Sequence, residues 1–218
     1  MLRGVFVTGT DTGVGKTVVS AALMVRYGHG RAVRYWKPVQ TGIEHDDDTR
    51  TVEQLAGCRV LEKGVRLPRP LSPHLAARLA GQPIDVDALV SLAASCADTE
   101  RFVVEGAGGV LVPLTPSVLV IDLIERLGLP AVVVARTTLG TINHTLMTMS
   151  TLRARGIAVP GVLLDGPANA ENQAAIEHYG DVPVLGHLPP LEPLTRDALA
   201  PVAQQLDPHG RLSEFLTP

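Results

Sequence analysis

Val7-Thr8-Gly9-Thr10-Asp11-Thr12-Gly13-Val14-Gly15-Lys16-Thr17 is the stretch on which the reading of this chain turns. A polyphosphate needs many donors converging on it at short range. Glycines let backbone N–H groups come close, and the N-terminus of a following helix adds partial positive charge. In that arrangement Thr12, Gly13, Val14 and Gly15 line the triphosphate, Lys16 reaches its β- and γ-phosphates, and the Thr17 hydroxyl ligates Mg²⁺. The spacing departs from the usual one, in which a glycine and four spacers precede Gly-Lys-Ser/Thr. Thr10 stands at the first glycine position and Gly9 lies one residue further back. Val5-Phe6-Val7 reads as a buried strand entering the loop, and Val18 to Tyr27 as a helix leaving it. A glycine-rich turn that merely contains Lys and Thr is the bland alternative, and the order of strand, Gly-Lys-Thr and helix opposes it.

The composition sets bounds on the rest. At 218 residues the chain predicts a single domain, residues 1–218, with a full core. A formal net charge of −3 and scattered basic residues argue against a nucleic-acid partner, and only seven residues are aromatic, too few for a base-stacking platform. Cys58 and Cys96 lack CxxC spacing, so neither a zinc site nor a disulfide framework is expected. The chain opens Met1-Leu2-Arg3 and enters its first strand at once, without a signal-peptide pattern. Val118 to Ala135 is apolar but carries Asp122, Glu125 and Arg126, which excludes a membrane span. A soluble cytoplasmic protein is the expectation.

Short β-branched runs alternate with helical patterns, which predicts an open, doubly wound, mainly parallel sheet with helices on both faces. Strands are expected near Gly4–Thr8, Ala32–Trp36, Arg101–Glu105, Ala131–Ala135, Val159–Leu164 and Val182–Leu185. Helices are expected near Thr17–Tyr27, Thr49–Ala56, Pro73–Ala80, Val86–Cys96, Val118–Leu127, Ile142–Arg155 and Glu171–His178. The proline-bearing segment Lys63 to Pro73 reads as an ordered connection.

Ligands of such sheets sit beyond the carboxyl ends of strands. That rule selects the phosphate loop, Lys37-Pro38-Val39-Gln40-Thr41-Gly42, and Glu105-Gly106-Ala107-Gly108-Gly109. Lys37 is a candidate for stabilising charge on a transferring phosphoryl group, the alternative being an ordinary solvated lysine. Of Asp46-Asp47-Asp48, two are expected to be solvated and one to join Thr17 and Glu105 in an oxygen shell around Mg²⁺. Glu105 ends an apolar run before a glycine-rich turn, where a second-motif carboxylate belongs in a phosphate-loop protein. Gly140-Thr141-Ile142-Asn143 opens a helix whose free N–H groups suit a carboxylate, unless Thr141 or Asn143 simply caps it. His45, His74 and His144 form no metal or triad pattern.

Taken together, Val7 to Thr17, Lys37-Pro38-Val39-x-x-Gly42, Ser72-Pro73-His74, Val104-Glu105-Gly106-Ala107-Gly108-Gly109 and Gly140-x-Ile142-Asn143-His144 closely resemble the motifs of the dethiobiotin synthetases. The resemblance implies a phosphate-loop NTPase fold and an ATP- and Mg²⁺-dependent ligase that closes a cyclic urea from 7,8-diaminononanoate and CO₂ in biotin synthesis. It further implies that Lys16 and Lys37 stabilise phosphoryl charge and that Thr17, Asp48 and Glu105 hold Mg²⁺. Thr12, Thr41 and the Gly108 backbone would contact carbamate or phosphates. The family is a homodimer, which points to Gly140, Thr141, Ile142 and Asn143 as a substrate-carboxylate site serving the partner subunit.

Two departures stand out. Gly13 occupies a position where some relatives carry glutamate. Asp165, after Leu163-Leu164, stands where adenine-reading relatives have asparagine; an ionised carboxylate only accepts, whereas an amide also donates. Relaxed selectivity for the nucleotide base follows as an expectation, unless Asp165 simply bonds a neighbouring backbone N–H. Two rival families differ from this chain. Partition and septum-positioning switch ATPases carry an extra lysine near the start of the loop, where this chain has Asp11. Amide-forming cobyrinic-acid synthases carry a fused glutamine-hydrolysing domain, for which 218 residues are too few.

Overall fold

A computed structural model of the chain describes residues 2–28, 32–96 and 99–217. Met1 and Pro218, the two ends of the quoted sequence, lie outside them. In chain order the first half contains β1 (Gly4–Gly9), α1 (Lys16–Tyr27), β2 (Val33–Trp36), β3 (Val39–Thr41), α2 (Asp48–Ala56), β4 (Arg59–Leu61), β5 (Val65–Leu67), α3 (Pro73–Ala80) and α4 (Val86–Ala94). The second half contains β6 (Arg101–Gly109), α5 (Val120–Leu127), β7 (Ala131–Arg136), α6 (Thr141–Ala154), β8 (Gly161–Asp165), α7 (Ala170–Gly180), β9 (Val184–Leu188), α8 (Arg196–Ala203) and α9 (Ser213–Leu216).

Among the described residues, seven strands form one sheet in the order β4-β2-β6-β1-β7-β8-β9. Every neighbouring pair is parallel. All six residues of β1 are buried, because helices cover both faces of the sheet and leave no strand face for water. One core lies under α3 to α7, around Phe6, Trp36, Val104 and Val133. The other lies under α1, α2, α8 and α9, around Val5, Val7, Leu23, Tyr35 and Val103. The doubly wound α/β architecture read from the sequence is therefore the one found. No helix among the described residues is long and apolar enough to cross a membrane.

Several predicted details are corrected. Lys37 to Gly42 is not one loop, because Val39–Thr41 forms β3, which pairs with β5 from the segment read as an ordered connection. β3, β4 and β5 have three residues each, too few to show a period of two. Strand β9 starts at Val184 rather than Val182, after Pro183, which has no N–H to give a ladder and only accepts, from Val162 N at 3.0 Å. Helix α4 ends at Ala94 with Ser95 as its cap, short of Cys96. Helix α5 starts at Val120, where the Asp122 carboxylate accepts from Leu119 N at 2.7 Å. Helices α8 and α9 were not anticipated; Pro201 inside the first interrupts its sequence signal.

Candidate functional site

β1 is the central strand, and the chain crosses it between β6 and β7, so the loop after β1 lies at the point where the winding reverses. That loop ends at Gly15, the N-cap of α1, with φ of 85°. A side chain there is excluded twice, by the left-handed backbone and because its Cβ would lie 2.4 Å from an Asp165 carboxylate oxygen. Lys16 is buried and its ammonium donates to the Asp11 carbonyl at 2.9 Å. Burial, followed by the nearby Lys37 charge, lowers its pKa to about 8. Asp11 uses both side-chain oxygens, one accepting from Thr12 N at 2.7 Å and the other from Arg136 at 2.8 Å. Arg136 ends β7, and its carbonyl accepts from the Thr141 hydroxyl, so the loop tip is tied to the start of α6.

The chemistry concentrates on the α1 side of the sheet. The Thr17 hydroxyl lies 2.9 Å from Asp48 Oδ1 and 3.1 Å from Glu105 Oε1, one proton between two acceptors. Lys37 Nζ lies 2.6 Å from Glu105 Oε1 and pairs also with Asp48. Lys37 is 4% exposed and Glu105 0%, so these are buried charges that persist because each has an opposite partner. Burial alone lowers the Lys37 pKa; Glu105 and Asp48 outweigh it, and the ammonium is held above the ordinary lysine value. Burial raises Asp48, and the Lys37 charge and hydrogen bonds reverse this, so its pKa falls below the ordinary carboxylate value. The solvated-lysine alternative for Lys37 is thereby overturned.

Five predicted positions gain a definite setting. Asp47 is no idle solvated carboxylate, since it caps α2 by accepting from Thr49 N at 3.0 Å and Arg50 N at 3.3 Å. This fixes Asp48 as the first helical residue, facing Thr17. Asp46 is exposed. Gly106 to Gly109, read above as a turn, instead extend β6 as far as Gly109; Gly108 has φ of 71°, and a Cβ there would lie 3.6 Å from the Thr12 hydroxyl, so the phosphate loop and the end of β6 meet. Thr41, half-buried, ends β3.

The remaining predicted residues stand around this centre. α6 is capped by Gly140, with φ of 93° and no side-chain cap, rather than by Thr141 or Asn143. Thr141 is buried, Ile142 half-buried and Asn143 exposed. Asp165 is half-buried, and its carboxylate rests against Gly15 instead of taking a backbone donor among the described contacts. Burial raises its pKa, against a smaller opposing effect of His187.

The sequence reading missed Tyr35, which donates to Glu105 Oε2 at 2.9 Å. The available signal was its spacing, two residues before Lys37 and so on the same strand face. It also missed Arg66, which donates to the Lys37 carbonyl at 2.8 Å and to the Thr49 hydroxyl at 3.0 Å. Cys58 and Cys96 are free thiols. A recess of about 500 Å³ lined by Met24, Ala56, Cys58, Arg196 and Gln204 sits at the far end of α1, and Lys16, Thr17, Lys37, Asp48 and Glu105 do not line it.

The donor set suits a small hard cation. Among the described residues no group of three or more His, Cys, Asp or Glu side chains comes together as a metal site. Thr17, Asp48 and Glu105 instead offer a hydroxyl and two carboxylates, all oxygen, as Mg²⁺ accepts when it keeps waters and phosphate oxygens.

Residues 3–198 match a family model described as an AAA domain. An ATP-dependent dethiobiotin synthetase of Paramagnetospirillum magneticum is 52% identical over 91% of this chain and 94% of its own length. One of Nitrobacter hamburgensis is 48% identical over 91% and 92%. The chain belongs to the dethiobiotin synthetase family. Membership makes it an ATP-binding phosphate-loop protein of the ligases of biotin synthesis. Solved structures share the fold at low identity. A cell division ATPase, MinD, of Pyrococcus furiosus superposes with a TM-score of 0.60 at 17% identity, covering 98% of this chain and 99% of that one. A ParA family ATPase of Chlorobium tepidum gives 0.58 at 12%, covering 98% and 97%. These two likenesses concern the fold alone.

Proposed function

We propose that the chain is a cytoplasmic, homodimeric ATP- and Mg²⁺-dependent ligase that closes the cyclic urea of dethiobiotin from 7,8-diaminononanoate and CO₂. The observation that supports this most is the cluster of half-buried Thr17 and Asp48 with buried Lys37 and Glu105 beside Lys16, which gathers two cations and a hard-metal donor set where a γ-phosphate would lie. One amine adds CO₂ and loses a proton to give a carbamate. A carbamate oxygen attacks the γ-phosphorus, the bond to the ADP oxygen breaks, and a carbamic-phosphoric anhydride forms. The second amine attacks the carbamate carbon, a proton leaves, and phosphate departs with the ring closed.

Lys16 and Lys37 neutralise charge on the transferring phosphoryl group, where positioning and electrostatics supply most of the acceleration. Thr17, Asp48 and Glu105 would hold Mg²⁺, which when bound neutralises β- and γ-phosphate charge. Thr12, Thr41 and the Gly108 backbone contact the carbamate or the phosphates. The Gly140 to Asn143 helix start receives the substrate carboxylate of the partner subunit on its free N–H groups.

Phosphate release dependent on diaminononanoate and bicarbonate tests the reaction, with release driven by a corrinoid and ammonia as the outcome that refutes it. Asp165 next to Gly15 supports relaxed reading of the base. Steady-state efficiency with ATP, CTP and GTP should then differ less for the wild type than for Asp165→Asn. An equal loss for every nucleotide but ATP in the wild type defeats that part of the reading.

A further inference from the structure

The two oxygens of Glu105 have different company. Oε1 lies 3.1 Å from the Thr17 hydroxyl and 2.6 Å from Lys37 Nζ, whereas Oε2 accepts from the Tyr35 hydroxyl at 2.9 Å. Tyr35 and Glu105 are both 0% exposed. The strand register explains the reach. Tyr35 of β2 stands opposite Val103 of β6, and Glu105 lies two residues further along the same face. That diagonal is within the span of a phenol, as the 2.9 Å contact to Oε2 shows. Lys37 follows Tyr35 at the same spacing, which brings ammonium, phenol and carboxylate onto the α1 side together.

The sheet positions the Glu105 backbone but not its carboxyl plane. The last torsion of a glutamate is broad and roughly two-fold, so either oxygen, or both, is free to turn toward Thr17. The buried phenol removes that freedom, since a turned carboxylate would leave a buried donor and acceptor unpaired. We infer that Tyr35 is a positioning residue for Glu105: its hydroxyl holds Oε2 so that Oε1 alone is presented to Thr17, Lys37 and a divalent cation. The inference rests on the reading that Glu105 helps to hold that cation. Mg²⁺ demands near-octahedral geometry and tolerates a wandering or chelating carboxylate poorly. Hydrogen-bond partners behind a metal ligand are accordingly worth about 10–100-fold in affinity.

Tyr35→Phe keeps the ring and deletes one oxygen. The probe is Mn²⁺ titrated into the protein–ADP complex, with free Mn²⁺ read by electron paramagnetic resonance. Tyr35→Phe is expected to weaken Mn²⁺ binding about 10-fold or more, to lower kcat more than it raises the KM for ATP, and to leave metal-free ADP binding unchanged. A folded Phe variant that binds Mn²⁺ as the wild type does overturns the inference. Glu105→Gln separates the two levels. If it too retains wild-type Mn²⁺ affinity, the metal reading itself fails; if it loses Mn²⁺ while Tyr35→Phe does not, only the positioning role fails. Should Tyr35→Phe need ligand to fold, the Mn²⁺ concentration at which ADP restores its circular dichroism is compared with that for Leu23→Ala, a variant weakened away from the site. A higher requirement for Tyr35→Phe supports the inference, and an equal one overturns it.

Discussion

Lys16 and Asp165 face the same loop with opposite consequences. Lys16 is buried among ligand-facing groups and contributes little to the apolar cores, so Lys16→Ala should abolish phosphate release while the melting temperature stays within a few degrees of the wild type. Wild-type turnover in that variant would falsify the site assignment. At Asp165, burial raises the carboxyl pKa above its ordinary 3.8. The folded state then holds that proton more firmly than the unfolded state, so stability falls as pH rises through the window between 3.8 and the folded value. Above the window the penalty is complete. Asp165→Asn should therefore be the more stable protein in urea at about pH 7, and its advantage should vanish below the ordinary carboxylate pKa. An advantage independent of pH would assign the effect to packing instead.

At the scale of elements, α1 and α2 carry the site to the sheet. Leu23 is fully buried on the α1 face, so Leu23→Ala should cost about 2–5 kcal/mol in chemical denaturation. ADP affinity should survive at temperatures where the variant is folded, because α1 presents its N-terminus, far from Leu23, to the phosphates. Helix α2 depends on its cap: Asp47→Ala should cost about 1 kcal/mol and, by fraying the first turn, loosen Asp48 from Thr17. An Asp47→Ala variant with unchanged stability would deny the capping role. β3 and β5 act as a brace, since Arg66 of β5 ties the Lys37 carbonyl to Thr49 of α2. Their parallel pairing was illegible in the sequence because three-residue strands bury too few alternate positions to leave a pattern.

For the whole molecule the proposed dimer makes a sharp prediction. If each site joins one subunit's phosphate loop to the partner's α6, then Lys16→Ala and Asn143→Asp, each inactive alone, should complement on mixing. Random exchange makes half the dimers mixed, each with one intact site, so activity should recover to about a quarter of the wild type. Sedimentation of the mixture confirms that dimers are present, and no recovery in exchanging dimers would place each site within one chain. The exposed Leu139 and Met147, at and along α6, are the apolar surface consistent with such a contact.

The sequence by itself determined the fold class and the phosphate loop and pointed to Lys37 and Glu105, because each rests on local chemistry: strand before loop, glycines before lysine, a carboxylate before a glycine-rich run; Asp48 was singled out from its two aspartate neighbours by the family resemblance alone. The tertiary structure decided what those residues face. It buried Lys37 between two carboxylates, pressed Asp165 onto Gly15 and set Tyr35 behind Glu105. Each of these contacts joins residues brought together by strand order, register or loop course. β2 and β6 lie side by side with some 65 residues between them in the chain, and a partner at that separation leaves no trace in local spacing.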